Sequence, residues 1–155
     1  ATFGADTALT KVIDVDFDLS QFNHPQTLQG TMIVEMCGAT GNSTITSSNI
    51  TYMVVRLRKW DGASETEIAD AQSTTTTVST ATTTGWNEIM HLTIPQTHFK
   101  IGEILRVTVE GWATCGAGAG SRSLTLYHEP LATSTPVSPA DHSDLIFKIP
   151  FKIER

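Results

Sequence analysis

Three carboxylates, Asp14, Asp16 and Asp18, stand at i, i+2 and i+4 in "KVIDVDFDL". On extended backbone, alternate residues project to one side, about 7 Å apart. The three therefore form an acidic row along one strand. A hard cation takes several oxygens at about 2.3–2.6 Å, which one strand cannot supply at that spacing without a neighbouring segment. Two other uses fit the row. Like charges in line discourage unwanted pairing at a strand edge, and they complement a basic partner surface.

Other reactive residue types form no constellation. The histidines His24, His91, His98, His128 and His142 make no HxH or HExxH pair and read as surface or edge residues. No GxSxG elbow is present. Cys37 follows an apolar run and reads as a small buried residue rather than a nucleophile. Cys37 and Cys115 lack CxxC spacing, which excludes a disulfide framework or a multi-cysteine zinc site and leaves a single bridge open. The "GAGAG" run at 116–120 lacks the GK[ST] ending and the helix of a phosphate loop, so it reads as a hairpin tip. Two sequons, at Asn42 and Asn49, matter only in a eukaryotic secretory pathway. No catalytic, metal or cofactor residue is assigned, and the chain reads as a non-enzyme without a cofactor.

Charge narrows the partners. The 155 residues carry 10 Lys and Arg against 16 Asp and Glu, a net charge of -6. Nucleic-acid binding needs clustered bases to displace counterions. The one basic cluster, Arg56-Leu57-Arg58-Lys59, reads as strand residues facing water. No apolar run approaches the roughly 18 residues of a membrane helix. No basic segment followed by an apolar one opens the chain. The initial Ala fits removal of an initiator Met or trimming of a leader. Neither nucleic acid nor membrane is expected as a partner.

The elements that carry these residues alternate with period two. Ile13, Val15, Phe17 and Leu19 oppose the aspartates. Met53, Val55 and Leu57 oppose Val54, Arg56 and Arg58. Met90, Leu92 and Ile94 oppose Asn87, Ile89, His91 and Thr93, and Leu105, Val107 and Val109 oppose Arg106, Thr108 and Glu110. Leu124 and Leu126 oppose Ser123, Thr125 and Tyr127. In "LIFKIPFKIE", Leu145, Phe147, Ile149, Phe151 and Ile153 oppose Lys148, Pro150 and Lys152.

No window carries a helical stripe. Turn signals are read at Gly38–Gly41, Asp61-Gly62, Gly85, Gly102 and 116–120. About eight or nine strands with one apolar face each imply an all-β fold, two antiparallel sheets packed face to face. Pro95 closes the strand ending at Ile94, and Pro150 places the last strand at or near a sheet edge or a bulge. Segments 39–49 and 133–143 read as loops, and with the glycine run they are the expected contact surfaces. The Thr-rich segment 73–84 reads as a plain edge strand. Residues 1–10 read as an arm, and 11–155 as one domain.

Tyr52 and Trp60 share a strand face with Arg56 and Arg58 between them, a patch for a protein partner or a glycan. Ile89, Ile104, Ile146 and Trp112 on outward positions suggest faces covered by another chain.

The stretch "GWNEIMHLTIPQTHFKIGEILRVTVEGW" (85–112) reads as strand, proline-closed loop, an F-K-x-G-E-x-L-R turn, and strand. It is followed by "LTLYHEPLA" and closes on "DLIFKIPFKIE". Over 85–155 this resembles the jelly-roll decoration (cement) proteins and related accessory proteins on the heads of tailed viruses. The resemblance implies a jelly-roll-like sandwich on the outer capsid surface of a virion, bound to the major capsid protein as a homo-oligomer, with a trimer favoured. It carries over no active-site residue. Two further readings stand beside it: a carbohydrate-binding, lectin-like module, and an enzyme on a sandwich scaffold.

Overall fold

The computed structural model describes residues 2–3, 8–42, 49–78, 83–115, 122–127 and 145–152, and their side chains except at 2, 3, 42, 49, 78 and 115. The described residues are all-β and contain no helix. The strands are β1 (Thr2–Phe3), β2 (Thr10–Asp18), β3 (Gln26–Asn42), β4 (Asn49–Trp60), β5 (Glu65–Gln72), β6 (Thr76–Val78), β7 (Thr83–Phe99), β8 (Ile104–Cys115), β9 (Arg122–Tyr127), β10 (Ile146–Lys148) and β11 (Phe151–Lys152).

They form two antiparallel sheets. In the six-stranded sheet β3 is the spine. One side of β3 runs along β7, and the other takes β11, β10 and β9 in succession, with β1 beyond β9. The five-stranded sheet is ordered β2-β8-β4, with β5 and β6 sharing the far side of β4. The chain changes sheet between β1 and β2, β2 and β3, β3 and β4, β6 and β7, β7 and β8, and β8 and β9. The result is a jelly-roll-like sandwich.

Its core is the alternation turned inward. Leu28, Met32 and Val34 of β3 and Leu92 and Ile94 of β7 face Met53, Val55 and Leu57 of β4 and Leu105, Val107 and Val109 of β8. Full burial of each such side chain contributes about 1.5–3 kcal/mol relative to leaving it exposed. Arg122 is the exception in the pattern. It is 1% exposed and stands two residues from the buried Leu124.

Several expectations need correction. Gly38, Gly41 and Gly85 are not turns but lie inside β3 and β7. Gly38 is paired with Trp86, and a Cβ there would stand 2.0 Å from the Thr125 carbonyl oxygen and 2.4 Å from the indole. Glycine here permits close approach rather than a bend. The expected loop 39–49 instead begins as strand, since Ala39–Asn42 continue β3, while 43–48 lie outside the described residues. β5 escaped the period-two reading because a register shift between Leu57 and Arg58 leaves both Ile68 and Ala69 half-buried. The expected arm contains the short strand β1, paired with β9. Within 73–84, β6 does lie along β4.

Pro95 does not close its strand. β7 runs on to Phe99, and the register shift opposite Leu28 and Gly30 absorbs Pro95 and Gln96 as a bulge. A missing N–H is tolerated at a bulge of this kind. Pro150 interrupts the last strand into β10 and β11, and its ring lies 3.5 Å from where a Gly30 Cβ would be. Gly30 has φ +130 at this register shift, with Pro95 following its cross-strand partner Ile94 on one side and Pro150 on the other. Gly62 and Gly102, with φ +97 and +87, are turns as expected.

Candidate functional site

The outward face of the five-stranded sheet gathers both groups of candidate residues. Tyr52, Arg56, Arg58 and Trp60 project from one side of β4. Asp14, Asp16 and Asp18 of β2 lie opposite Glu110, Thr108 and Arg106 of β8. The same β8 residues lie opposite Val54, Arg56 and Arg58. Thus β8 stands between the acidic row and the basic one, and the register sets which charges meet.

Arg106 grips Asp18 with two bonds, Nε to Oδ1 at 2.6 Å and Nη2 to Oδ2 at 2.8 Å. Such a fork is the strong geometry for a guanidinium and a carboxylate. Its Nη1 also reaches Asp16 Oδ2 at 3.5 Å and pairs with Glu65. Arg58 Nη1 lies 3.2 Å from Glu65 Oε2, and the Arg106 guanidinium sits 5.6 Å from the Trp60 ring centre.

A second hub is Glu110, only 3% exposed. Its Oε1 takes Arg56 Nε at 3.2 Å, Lys11 Nζ at 3.5 Å and Arg58 Nη2 at 3.8 Å, while Trp112 Nε1 donates to its Oε2 at 3.0 Å. Arg56 also meets Glu67 at 3.0 Å, and Lys11 meets Asp14 at 2.6 Å. Thr108 Oγ1 donates to Asp16 Oδ1 at 2.7 Å.

This network decides what the carboxylates can do. The hydrogen bond from Arg106 holds the Asp18 carboxyl below its ordinary value, against the opposing effect of burial. Burial works to raise the Glu110 carboxyl, but the Trp112 hydrogen bond and the Arg56 and Lys11 charges outweigh it, and Glu110 also lies below its usual range. Arg106 is held above its ordinary value, first by its bond to Asp18. A general acid or base near neutral pH needs a carboxyl shifted the other way. These groups are ion-pair partners. Among the described residues no group of three or more His, Cys, Asp and Glu is placed to hold a metal ion.

The expected aromatic patch is divided. Tyr52 and Trp60 are eight residues apart on β4, about 27 Å at a strand's rise per residue. Tyr52 instead faces its cross-strand neighbour Trp112, with ring centres 6.5 Å apart and planes within 13°. Trp86 belongs to the other sheet, over Gly38. The Lys100–Glu103 turn is closed by Glu103, whose Oε2 accepts from the Lys100 N–H at 2.8 Å and lies 3.5 Å from Lys59 Nζ. The conspicuous F-K-x-G-E turn therefore has a structural role.

The outward face of the six-stranded sheet differs in kind. Ile89, Glu35 and Ile146 form one cross-strand row over β7, β3 and β10. Ile89 is 63% exposed and Ile146 37%. With Met36, Cys37, Asn87 and Glu88 they line a groove of about 440 Å³. On its rim Glu35 pairs with Lys148, whereas the Glu88 carboxylate turns toward the other sheet, its Oε1 accepting from the N–H and hydroxyl of Thr74 at 3.0 and 3.1 Å. Of the four outward apolars singled out in sequence, Ile89 and Ile146 meet here, whereas Ile104 and Trp112 are half-buried on the other sheet.

His98 Nδ1 lies 2.8 Å from Thr27 Oγ1, while His24 and His91 are exposed. His128, His142, the glycine run and the loop 133–143 lie outside the described residues. Cys37 is buried in β3, and Cys115 ends β8 in the opposite sheet with its side chain outside them. No described helix is long and apolar enough to cross a membrane.

No protein-family model matches the chain, and no curated protein matches it. Among solved structures it is similar to two of a CocE/NonD family hydrolase from Staphylococcus aureus. Identity is 13% in both, with TM-scores of 0.44 and 0.45 over 79% and 81% of this chain. The chain spans 33% of the length of those hydrolases. A likeness of this degree assigns no activity to the chain.

Proposed function

We propose that this chain is a structural, non-enzymatic virion protein that decorates the outside of a capsid by binding the major capsid protein. The observation that carries this reading is the contrast between the two outward faces. On the five-stranded sheet the ionic side chains satisfy one another. On the six-stranded sheet Ile89 and Ile146 stand in water around a groove. Exposed apolar surface rimmed by polar groups suits a protein partner. The Glu35 carboxylate between the two isoleucines and the net charge of -6 favour a capsid segment with an apolar side chain beside a base. The protein acts as a homo-oligomer, with a trimer favoured, and engages neither nucleic acid nor membrane.

A carbohydrate-binding role is the second reading. It rests on the paired rings of Tyr52 and Trp112 beside Glu110. Two measurements separate the readings. The chain should sediment as a multimer and pellet with shells assembled from its cognate major capsid protein. Its tryptophan fluorescence should not respond to glycans. A monomer that ignores such shells, and whose fluorescence is quenched by a glycan, would replace the first reading with the second.

A further inference from the structure

The strand β2 is held in an unusual way. None of its nine residues is buried. Val15 is 38% exposed, and Leu9 and Leu19 on either flank are 43% and 42% exposed. Inward, its main aromatic contact is Phe17 on Phe147, with ring centres 5.5 Å apart. Outward, it is clasped to β8 by the Asp18–Arg106 fork, the Asp16–Thr108 bond and the reach of Lys11 to Glu110. Polar clasps at a surface are screened by salt in a way that buried apolar contacts are not.

The chain just after β2 is anchored differently. The Phe22 ring packs 5.0 Å from Phe99 and 6.1 Å from Phe151. Its backbone bonds to both Glu103 and Gly102. The Leu19 N–H still bonds to the Leu105 carbonyl at 3.0 Å, and between that bond and the Phe22 anchor Ser20 and Gln21 are exposed. They form a natural hinge.

What β2 covers is specific to β2. Beneath it, β8 offers a ladder edge whose inward residues Val107, Val109 and Ala113 are buried and whose outward residues are Arg106, Thr108 and Glu110. The register shifts between Lys11 and Ile13, and Ile13 there closes over Gly111. A Cβ on Gly111 would lie 2.9 Å from the Ile13 Cβ. A strand that fits this edge must present a base, a bulge over glycine and alternating acids in that order. The sequence of β2 does so by construction, in any copy of the chain.

We infer that β2 is an exchangeable strand, and that the β8 edge beneath it is a docking groove for β2 of a second copy of this chain. Exchange carries β1 with β2 and remakes the β1–β9 pairing and every β2–β8 contact between copies, so hinge strain and association entropy separate the closed and exchanged forms. The ion clasp is the salt-sensitive part of the barrier, beside the β2–β8 ladder and the packing of Val12, Ile13 and Phe17 on the core. The inference does not depend on the proposed virion role.

A cross-link reads the exchange directly. Asp16 and Thr108 face each other across the β2–β8 ladder. The test protein carries Asp16→Cys and Thr108→Cys with Cys115→Ser, made in two versions of different mass. The reduced versions are mixed, held in low or 1 M sodium chloride, returned to low salt and oxidised. The expected result is a disulfide joining the two masses, rising several-fold after the high-salt step. Adding Arg106→Gln should raise it further at low salt. Disulfides formed only within single chains under every condition would overturn the inference. If Arg106→Gln fails to fold, as judged by tryptophan emission, the salt series on the cysteine protein alone decides the matter.

Discussion

The two outward faces of the sandwich solve the same problem in opposite ways. Both are antiparallel sheets with one side turned to water. On the five-stranded sheet Arg56, Arg58, Arg106 and Lys11 interlock with carboxylates from β2, β5 and β8. Each of these four cations has a carboxylate partner within the sheet, and an anionic ligand would have to displace one. On the six-stranded sheet, Ile89 and Ile146 flank Glu35 without apolar cover among the described residues. Strands of similar alternation thus yield one face dominated by ion pairs, with Ile50 exposed toward its end, and one whose cross-strand row is apolar on both sides of Glu35. The difference lies in what the cross-strand neighbours are, not in the strands themselves.

Four substitutions sharpen or break that contrast. The largest stability effect is expected inside the charged face, at Glu110→Ala. The carboxylate is almost fully buried and neutralises Arg56 and Lys11. Its loss leaves Arg56 with Glu67 alone and Lys11 with Asp14 alone, removes the acceptor of Trp112 Nε1, and should cost about 1–3 kcal/mol, read as a lower urea midpoint. A change under about 0.5 kcal/mol would mean that the network is ornamental.

Next, Ile89→Asp should leave stability within about 0.5 kcal/mol, because the side chain is 63% exposed. It should weaken binding to capsid shells by about tenfold or more. Loss of stability without loss of binding would reverse the assignment of the six-stranded face.

Third comes acid. The Asp18 carboxyl is held below its ordinary value of 3.8 in the folded chain. Its folded form therefore binds its proton less readily than the unfolded form. The stabilisation is present above the unfolded value and is lost as pH falls below about 4 and through the lowered folded value. The pair is part-exposed, so its contribution should be about 1 kcal/mol or less. Asp18→Asn should flatten the stability curve between about pH 2 and 5, and an unchanged curve would contradict the clasp. Last, Lys148→Gln should change stability by less than about 0.5 kcal/mol, since its pair with Glu35 is exposed.

The sheet class and most strand faces were legible because one face of each strand is buried, which writes period two into the sequence. Met90, Leu92 and Ile94 show it plainly, and all three are buried. β5 was not legible because its bulge breaks the period at Ile68 and Ala69. Nor was the full length of β3. Glycines that permit close packing look in sequence like glycines that permit turns, and only the Trp86 ring over Gly38 tells them apart.

The two candidate groups on the charged face were legible one strand at a time. Their union was not. It depends on β8 lying between β2 and β4, a long-range pairing that no local pattern encodes. The same is true of Glu110. In sequence it is one more outward residue of a strand, and its burial arises from neighbours far along the chain. The exposed pair Ile89 and Ile146 was legible as outward apolars, but their meeting across Glu35 follows from β10 pairing with β3.

One measurement tests the contrast most directly. Wild type, Ile89→Asp and Tyr52→Ala are compared in co-sedimentation with shells of the major capsid protein. Wild type and Tyr52→Ala should pellet alike, while Ile89→Asp stays in solution as a folded protein. Undiminished pelleting by Ile89→Asp, with loss in Tyr52→Ala, would place docking on the charged face and contradict the division drawn between the two sheets.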